Sequence, residues 1–341
     1  MKSITEAKDL SGKRVLLRVD WSVPINAGEV TNDYQIVKSF PTIEFLQKAG
    51  AKITIISHSE RDTDSLEPIF KYVKNLLPQL TFMEPSDLVL LENLRQNKGE
   101  KENSEKFAKE LSELGDIYVN DAFPVSHREH ASIVGIPKFI PGFAGIQLIH
   151  EVEELSKAFY PKRPFLFILG GAKFDTKLPL LKKFAHIADN IFVGGALAHN
   201  FFVVLGKDIG DSLVSGGDYG LKELLNTGKI ILPDDTIVED KKIMDAGPIT
   251  IENLKAKVAS SNLILWNGPL GTYERGYTVA TLKLAQIIAD SGKESIIGGG
   301  DTISAVKELN LFDKFTFVST GGGAMLDFLA TGTLPGIEAI K

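Results

Sequence analysis

Short apolar runs alternate with longer amphipathic stretches along almost the whole chain. The runs VLLRVD (from Val15), KITIIS (from Lys52), DIYVND (from Asp116), PFLFILGG (from Pro164) and NIFVGG (from Asn190) are too short for helices and rich in β-branched or aromatic residues. KIILP (from Lys229), NLILWNGP (from Asn262), SIIGGGD (from Ser295) and FTFVSTGGG (from Phe315) are of the same kind. Scarcely any of them alternates polar with apolar, which predicts strands buried on both faces. Between them, TIEFLQKAG (from Thr42), EKFAKELSELG (from Glu105), ATLKLAQIIADSG (from Ala280) and TISAVKELN (from Thr302) read as amphipathic helices, several of them stopped by Gly. This alternation predicts an α/β fold of doubly wound parallel sheets with helices on both faces.

From about Phe139 to Pro164 the rhythm breaks. IPKFIPGFAG is interrupted by Pro and Gly, IQLIHEVEELSKAFY reads as one helix, and PKRP ends it. The expected organisation is therefore two domains, 1–150 and 164–324, joined by a helix at 151–163, with a hinge and a cleft between them. One more surface helix of a single large sheet is the alternative. A length of 341 residues supports two cores. The 43% hydrophobic and 24% charged residues are those of a globular protein. No run of about 18 apolar residues predicts a membrane span, and the first residues lack the apolar core of a secretory signal, so a cytoplasmic location is expected. Without cysteines, disulfides and thiolate metal sites are excluded. A net charge of −6 argues against nucleic acid as a partner, and no heptad pattern suggests more than a monomer.

In a doubly wound sheet, ligands bind beyond the carboxyl ends of the strands, and here those ends carry most of the chemistry. VLLRVD ends in Asp20, and the first half gathers Arg18, His58, Arg61, Arg95, His127, Arg128 and His130, a set suited to an anion rich in carboxylate or phosphate oxygens. Scattered surface arginines and satisfied core histidines would look similar one at a time. The second half gathers Gly170-Gly171, Gly194-Gly195, Gly268, Gly271, Gly298 to Gly300 and Gly321 to Gly323, with Lys173 and Lys177 close behind the first pair. Glycine lets backbone N–H groups approach phosphate, and a following helix N-terminus adds partial positive charge. Tight strand-to-helix turns need glycine too, so the lysines strengthen the nucleotide reading. Asp301 beside such a loop suits Mg²⁺, which takes one or two carboxylates plus phosphate oxygens. There is no Walker-type or G-x-G-x-x-G fingerprint.

The strings RVDWSVP, SHSER, LLENLR, YVNDAF, HREHASIVG, GGAKFDTK, WNGPLG-x-x-E, GGGDT and STGGGA, in this order, resemble the phosphoglycerate kinase family from end to end, in a shorter chain than most members. The resemblance implies phosphoryl transfer between 1,3-bisphosphoglycerate and ADP, giving 3-phosphoglycerate and MgATP, a step of glycolysis and gluconeogenesis. It also implies an N-terminal domain for the acid, a C-terminal domain for the nucleotide, and residues 325–341 packing back on the former. By the same resemblance Lys173 and Lys177 neutralise phosphates and the group in flight, and Gly322 and Gly323 face the reaction centre. Gly171, Gly195, Asn267, Gly268, Gly299, Gly300 and Thr302 line the nucleotide, Glu274 meets the ribose, and Asp301 orients the metal. Asp20, Ser22, Gln35, His58, Arg61, Arg95 and Arg128 fall at the acid-binding positions.

The acid half departs from the family pattern. Asp20-Trp21-Ser22 stands for Asp-Phe-Asn, Glu60 for a Gly, Asp62 for a Pro, and Glu129 for a small residue. Thr176 replaces an Asp before the second lysine. Most consequential, Gln35 stands where the family's Arg reaches toward the transferring phosphate. Either another cation, Lys38 or Arg18, fills that space, or the patch is weaker. A weaker patch admits a kinase of another acid, or a nucleotide-binding protein with little turnover.

Overall fold

All nine apolar runs form parallel strands in the computed structural model, which describes residues 1–217 and 219–341. The chain divides into two units, Met1–Glu153 with Thr331–Lys341, and Glu154–Ala330. The first unit holds β1 (Arg14–Arg18), the small hairpin β2 (Ile25–Asn26) and β3 (Glu29–Val30), then β4 (Lys52–Ile56), β5 (Thr81–Phe82), β6 (Leu88–Leu90), β7 (Ile117–Asn120) and β8 (Gly142–Ala144). Its helices are α1 (Tyr34–Lys38), α2 (Phe40–Lys48), α3 (Glu67–Leu76), α4 (Lys98–Lys101), α5 (Glu105–Ser112) and most of α6 (Ile146–Ser156). The six long-range strands pair in the order β5-β6-β4-β1-β7-β8, all parallel.

The second unit repeats the plan. It holds α7 (Phe174–Ile187), α8 (Leu197–Val204), α9 (Leu221–Asn226), α10 (Pro248–Ser260), α11 (Val279–Ser291), α12 (Gly300–Glu308) and α13 (Gly322–Thr331) up to Ala330. Around them run β9 (Phe165–Leu169), β10 (Asn190–Val193), β11 (Ile230–Ile231), the antiparallel hairpin β12 (Thr236–Glu239) and β13 (Lys242–Ala246), β14 (Leu263–Asn267), β15 (Glu294–Gly298) and β16 (Phe317–Val318). The sheet order is β11-β10-β9-β14-β15-β16, again all parallel. The order turns back between β1 and β7 in one sheet and between β9 and β14 in the other. Those are the switch points at which open α/β sheets bind ligands.

Burial explains why the runs lack alternation: every residue of β9 and of β14 is buried. In the first unit Val15, Leu17, Ile53, Ile55 and Val119 share a core with Ile4, Trp21, Ile43 and Val73. Trp21 is fully buried, and its indole N–H is satisfied by Ser39 Oγ at 3.0 Å, so this departure is a packing residue. Helix α6 starts at Ile146, earlier than the segment 151–163, because two side chains cap it. Thr42 Oγ1 accepts from Ile146 N at 2.9 Å and Asp121 Oδ1 from Leu148 N at 3.0 Å. Gly145 leaves room for that cap, since a Cβ there would lie 2.2 Å from Asp121 Oδ1. Burial raises the Asp121 carboxyl to about 6, against these hydrogen bonds. The chain end, α14 (Pro335–Glu338), is held in the first unit by Gly336 N donating to Ser126 O at 2.8 Å. Among the described residues no helix is long and apolar enough to cross a membrane.

Candidate functional site

Within the first unit, the carboxyl ends of β1 and β4 bring Arg18, Asp20 and His58 together. Arg18 is fully buried and spends its donors inside: Nε on Ser132 Oγ at 2.8 Å, Nη2 on His58 Nδ1 at 3.1 Å, and Nη1 on the Val19 carbonyl. Ser132 passes the contact on, its Oγ donating to Glu100 Oε1 at 2.6 Å and its N to Oε2 at 2.9 Å. Glu100 is itself fully buried, 4.0 Å from Arg18 Nη2 and 3.6 Å from His130 Nδ1. Burial works against ionisation of Glu100, but His130, Arg18 and Ser132 outweigh it and hold the carboxyl below its usual range. Arginine can only donate, so His58 Nδ1 must accept and its proton must sit on Nε2. Burial, with Arg18 and Arg95 nearby, pushes the His58 pKa down to about 3. His58 is therefore a neutral donor.

Asp20 is nearly as buried, and both Ser22 N (3.0 Å) and Ser22 Oγ (2.5 Å) donate to its Oδ1. Burial raises its pKa, yet the Ser22 hydrogen bonds and the Arg18 charge hold it below the usual carboxylate range. Arg95 is half-buried, with Nη1 on the Ser59 carbonyl at 3.2 Å and a sealed Nε that has no hydrogen-bond partner among the described residues. Its pKa is lowered by burial first, then by Arg128 and Arg18. Three guanidiniums that repel one another in this way make an anion welcome. Arg61 and Arg128 are exposed at its rim. His127 lies beside Arg128, whereas His130 belongs to the buried Glu100 pair.

The departures take definite places. Glu60 and Glu129 are exposed, and Asp62 is paired with Lys101 at 2.5 Å. Arg18 is committed to the interior and does not stand in for the missing family Arg. Lys38 lies 5.2 Å from the Tyr34 ring centroid, a cation–π contact, and Gln35 is half-buried on α1 beside them. Glu100 and Ser132 went unnoticed in the sequence. The only signal was a Glu shortly after LLENLR and a Ser inside HREHAS, and nothing in the spacing says that they meet.

Within the second unit, four strand ends face one region. Beyond β9 and β14, Lys177 Nζ donates to the Gly170 carbonyl at 2.5 Å and is buried, with no salt bridge among the described residues. Burial, helped by Lys173 and opposed by Asp301, lowers its pKa to about 8. Gly171 (φ +88°) and Gly268 (φ +95°) wrap this amino group: a Cβ on either would stand 2.9 or 2.8 Å from Nζ. Asn267 ends β14, buried against Met325. Gly268 N donates to Thr302 Oγ1 at 2.9 Å, so the Thr302 hydroxyl holds this turn. Lys173 is exposed at the start of α7, and Thr176 Oγ1 turns back to the Lys173 carbonyl at 2.9 Å. Gly299 (φ +101°) precedes α12, Gly300 opens it, and Gly322 and Gly323 open α13. Three helix N-termini thus stand at the carboxyl edge of one sheet.

A cavity of about 480 Å³ lies beside them, lined by Gly171, Gly195, Glu274 and Asp301 among the expected residues. Lys177, Asn267, Gly268, Gly299, Gly300, Thr302, Gly322 and Gly323 lie outside its lining. Burial raises the Asp301 pKa, as does Glu274, while Lys177 opposes them. A carboxylate under that pressure would gain from a cation. No cluster of three metal-ligating side chains occurs among the described residues, so the donor set fits an ion completed by phosphate oxygens.

The family model for phosphoglycerate kinase matches residues 4–332. A curated phosphoglycerate kinase of Dictyoglomus turgidum is 37% identical over 383 positions, covering 98% of this chain and 97% of its own. One of Wolbachia sp. subsp. Drosophila simulans is 39% identical, with the same coverage. The phosphoglycerate kinase structure from Coxiella burnetii superposes with a TM-score of 0.85 at 34% identity, over 99% of this chain and 98% of that one. The 383 aligned positions exceed the 341 residues here, so the relative carries internal segments that this chain lacks.

Proposed function

The chain belongs to the phosphoglycerate kinase family, and we propose that it binds its two substrates through the two clusters just described. As a member it is a phosphotransferase that moves a phosphoryl group reversibly between 1,3-bisphosphoglycerate and ADP, giving 3-phosphoglycerate and ATP. Asp20, Ser22, Gln35, His58, Arg61, Arg95 and Arg128 hold the acid. Gly171, Lys173, Lys177, Gly195, Asn267, Gly268, Glu274, Gly299, Gly300, Asp301 and Thr302 hold the nucleotide. The location proposed for this step is the cytoplasm.

The observation that carries the assignment is Lys177, a buried ammonium pressed on a carbonyl with no salt-bridge partner among the described residues. Phosphate oxygens supply that partner. Phosphoryl transfer asks the protein for position and charge cancellation more than covalent chemistry. Lys177 and Lys173 meet the negative charge of the group in flight, and the N-termini of α12 and α13, at Gly300 and at Gly322 and Gly323, add their dipoles. His58 offers Nε2–H to the acid without changing charge, and Arg95 and Arg128 fix its oxygens. Mg²⁺, when bound, would neutralise β- and γ-phosphate oxygens, and Asp301 is the residue to hold it. Calorimetric titration tests this reading. Asp301→Asn should keep the fold, weaken MgATP binding at least tenfold, and leave Mg²⁺-free ATP binding nearly unchanged. Equal weakening with and without Mg²⁺ would remove Asp301 from the metal role.

A further inference from the structure

We infer that His199 selects the nucleobase, its Nε2 accepting a hydrogen bond from the exocyclic amino group of adenine. The inference rests on the reading of the 480 Å³ cavity as the nucleotide site. His199 lies on α8, behind the Gly194-Gly195 turn that ends β10, and is only 4% exposed. Its Nδ1 stands 2.8 Å from the Leu213 carbonyl oxygen. A carbonyl only accepts, so Nδ1 carries the ring proton and Nε2 presents a lone pair. Burial lowers the pKa of the ring, opposed in part by the bond to Leu213, and the neutral form is the one that keeps this acceptor.

The ring is also fixed in place. Asn200, the next residue, grips the same loop from both ends of its amide, Nδ2 on the Ser215 carbonyl at 2.8 Å and Oδ1 from Ser215 N at 3.4 Å. Nε2 has no hydrogen-bond partner among the described residues, yet it is not one of the sealed polar atoms. The walls around it include Phe202, Leu213, Met244 and Leu270, apolar surfaces that suit the faces of a purine. Ser212 is spoken for, its Oγ donating to the Ile209 carbonyl and accepting from Ile243 N at 2.8 Å. Asp211, Glu274 and Asp301 also line the cavity, and Asp245 is spoken for, its Oδ1 accepting from Ala246 N at 2.9 Å and its Oδ2 from Ala280 N at 3.1 Å. Set beside the apolar walls, the His199 acceptor favours a base that turns an N–H toward it.

The probe is purine riboside 5′-triphosphate, which is ATP without the amino group. Full-length protein is titrated with the Mg²⁺ complex of each nucleotide. The wild type should bind ATP roughly three- to tenfold more tightly, the worth of one net hydrogen bond. His199→Phe should lower ATP affinity to that of the analogue and leave the analogue unchanged. Asn200→Ala loosens the loop but keeps the acceptor, and should retain the preference for ATP. Equal binding of the two nucleotides by wild type would overturn the inference even if His199→Phe does not fold. So would a preference that survives His199→Phe, or one lost in Asn200→Ala. Failure of wild type to bind either nucleotide would overturn the nucleotide-site reading itself, and the inference with it.

Discussion

Lys177 shows how much a single side chain can be asked to give up. Lowering its pKa from 10.5 to about 8 means that the folded state disfavours the charged form by roughly 3 kcal/mol, at 1.36 kcal/mol per unit. Below pH 8 both folded and unfolded chains carry the proton and the full penalty stands. It is relieved only as pH rises from about 8 toward 10.5, where the unfolded chain binds more protons. Lys177→Met should therefore raise the melting temperature of the ligand-free protein by several degrees at pH 7, while lowering kcat by about 10²–10³. A variant that melts lower and keeps its activity would contradict this. His58 has the opposite consequence for acid stability. Its folded pKa of about 3 lies below the ordinary value of 6.5, so the neutral ring's contribution is complete above pH 6.5 and is lost as pH falls toward 3. In melting curves from pH 7 to pH 4, His58→Gln should lose less stability than wild type. Parallel curves would mean that His58 titrates normally.

At the level of elements, the turn after β14 is tightly built. Gly268 adopts φ +95°, and a Cβ on it would lie 2.5 Å from the Gly170 carbonyl oxygen, so no other residue fits. The turn is tied to α12 by Thr302. Thr302→Val keeps the shape, removes the acceptor, and leaves a buried N–H unpaired, a cost of about 1–3 kcal/mol. Chemical denaturation should show that loss, with nucleotide affinity falling as well; an unchanged midpoint would dismiss the bond. All nine strands with long apolar runs were legible, because a strand buried on both faces writes itself as continuous hydrophobicity. Strands β5, β6 and β8 were not. They are two or three residues long, and β8 is GFA, a segment that becomes a strand only because Tyr118 to Asn120 pair with it. The antiparallel hairpin β2/β3 escaped for the same reason, and β12/β13 because TIVE and KIMDA are not continuous apolar runs. Among candidate site residues, sequence reading named the groups at strand ends. It missed Glu100, Ser132 and His199, whose partners lie 14 to 114 positions away.

For the molecule as a whole, a net charge of −6 coexists with local clusters built for anions, since binding follows the few charges near the ligand. The acidic departures that the sequence set against the acid site lose weight in three dimensions, because Glu60 and Glu129 are exposed and Asp62 is paired with Lys101. Gln35 keeps its weight. Arg18 is held inside by Ser132 and His58, and Lys38 lies over Tyr34, so neither replaces a guanidinium aimed at phosphate. Gln35→Arg should accordingly raise kcat/KM for the acid roughly tenfold or more. The same kcat/KM in both proteins would mean that the patch is already complete. The central claim is catalytic, and a coupled assay of the purified wild-type protein with 3-phosphoglycerate and MgATP tests it most directly. The account predicts acid-dependent phosphoryl transfer with turnover in the ordinary enzymatic range, roughly 1–10³ s⁻¹. Firm nucleotide binding with no transfer to 3-phosphoglycerate would contradict it.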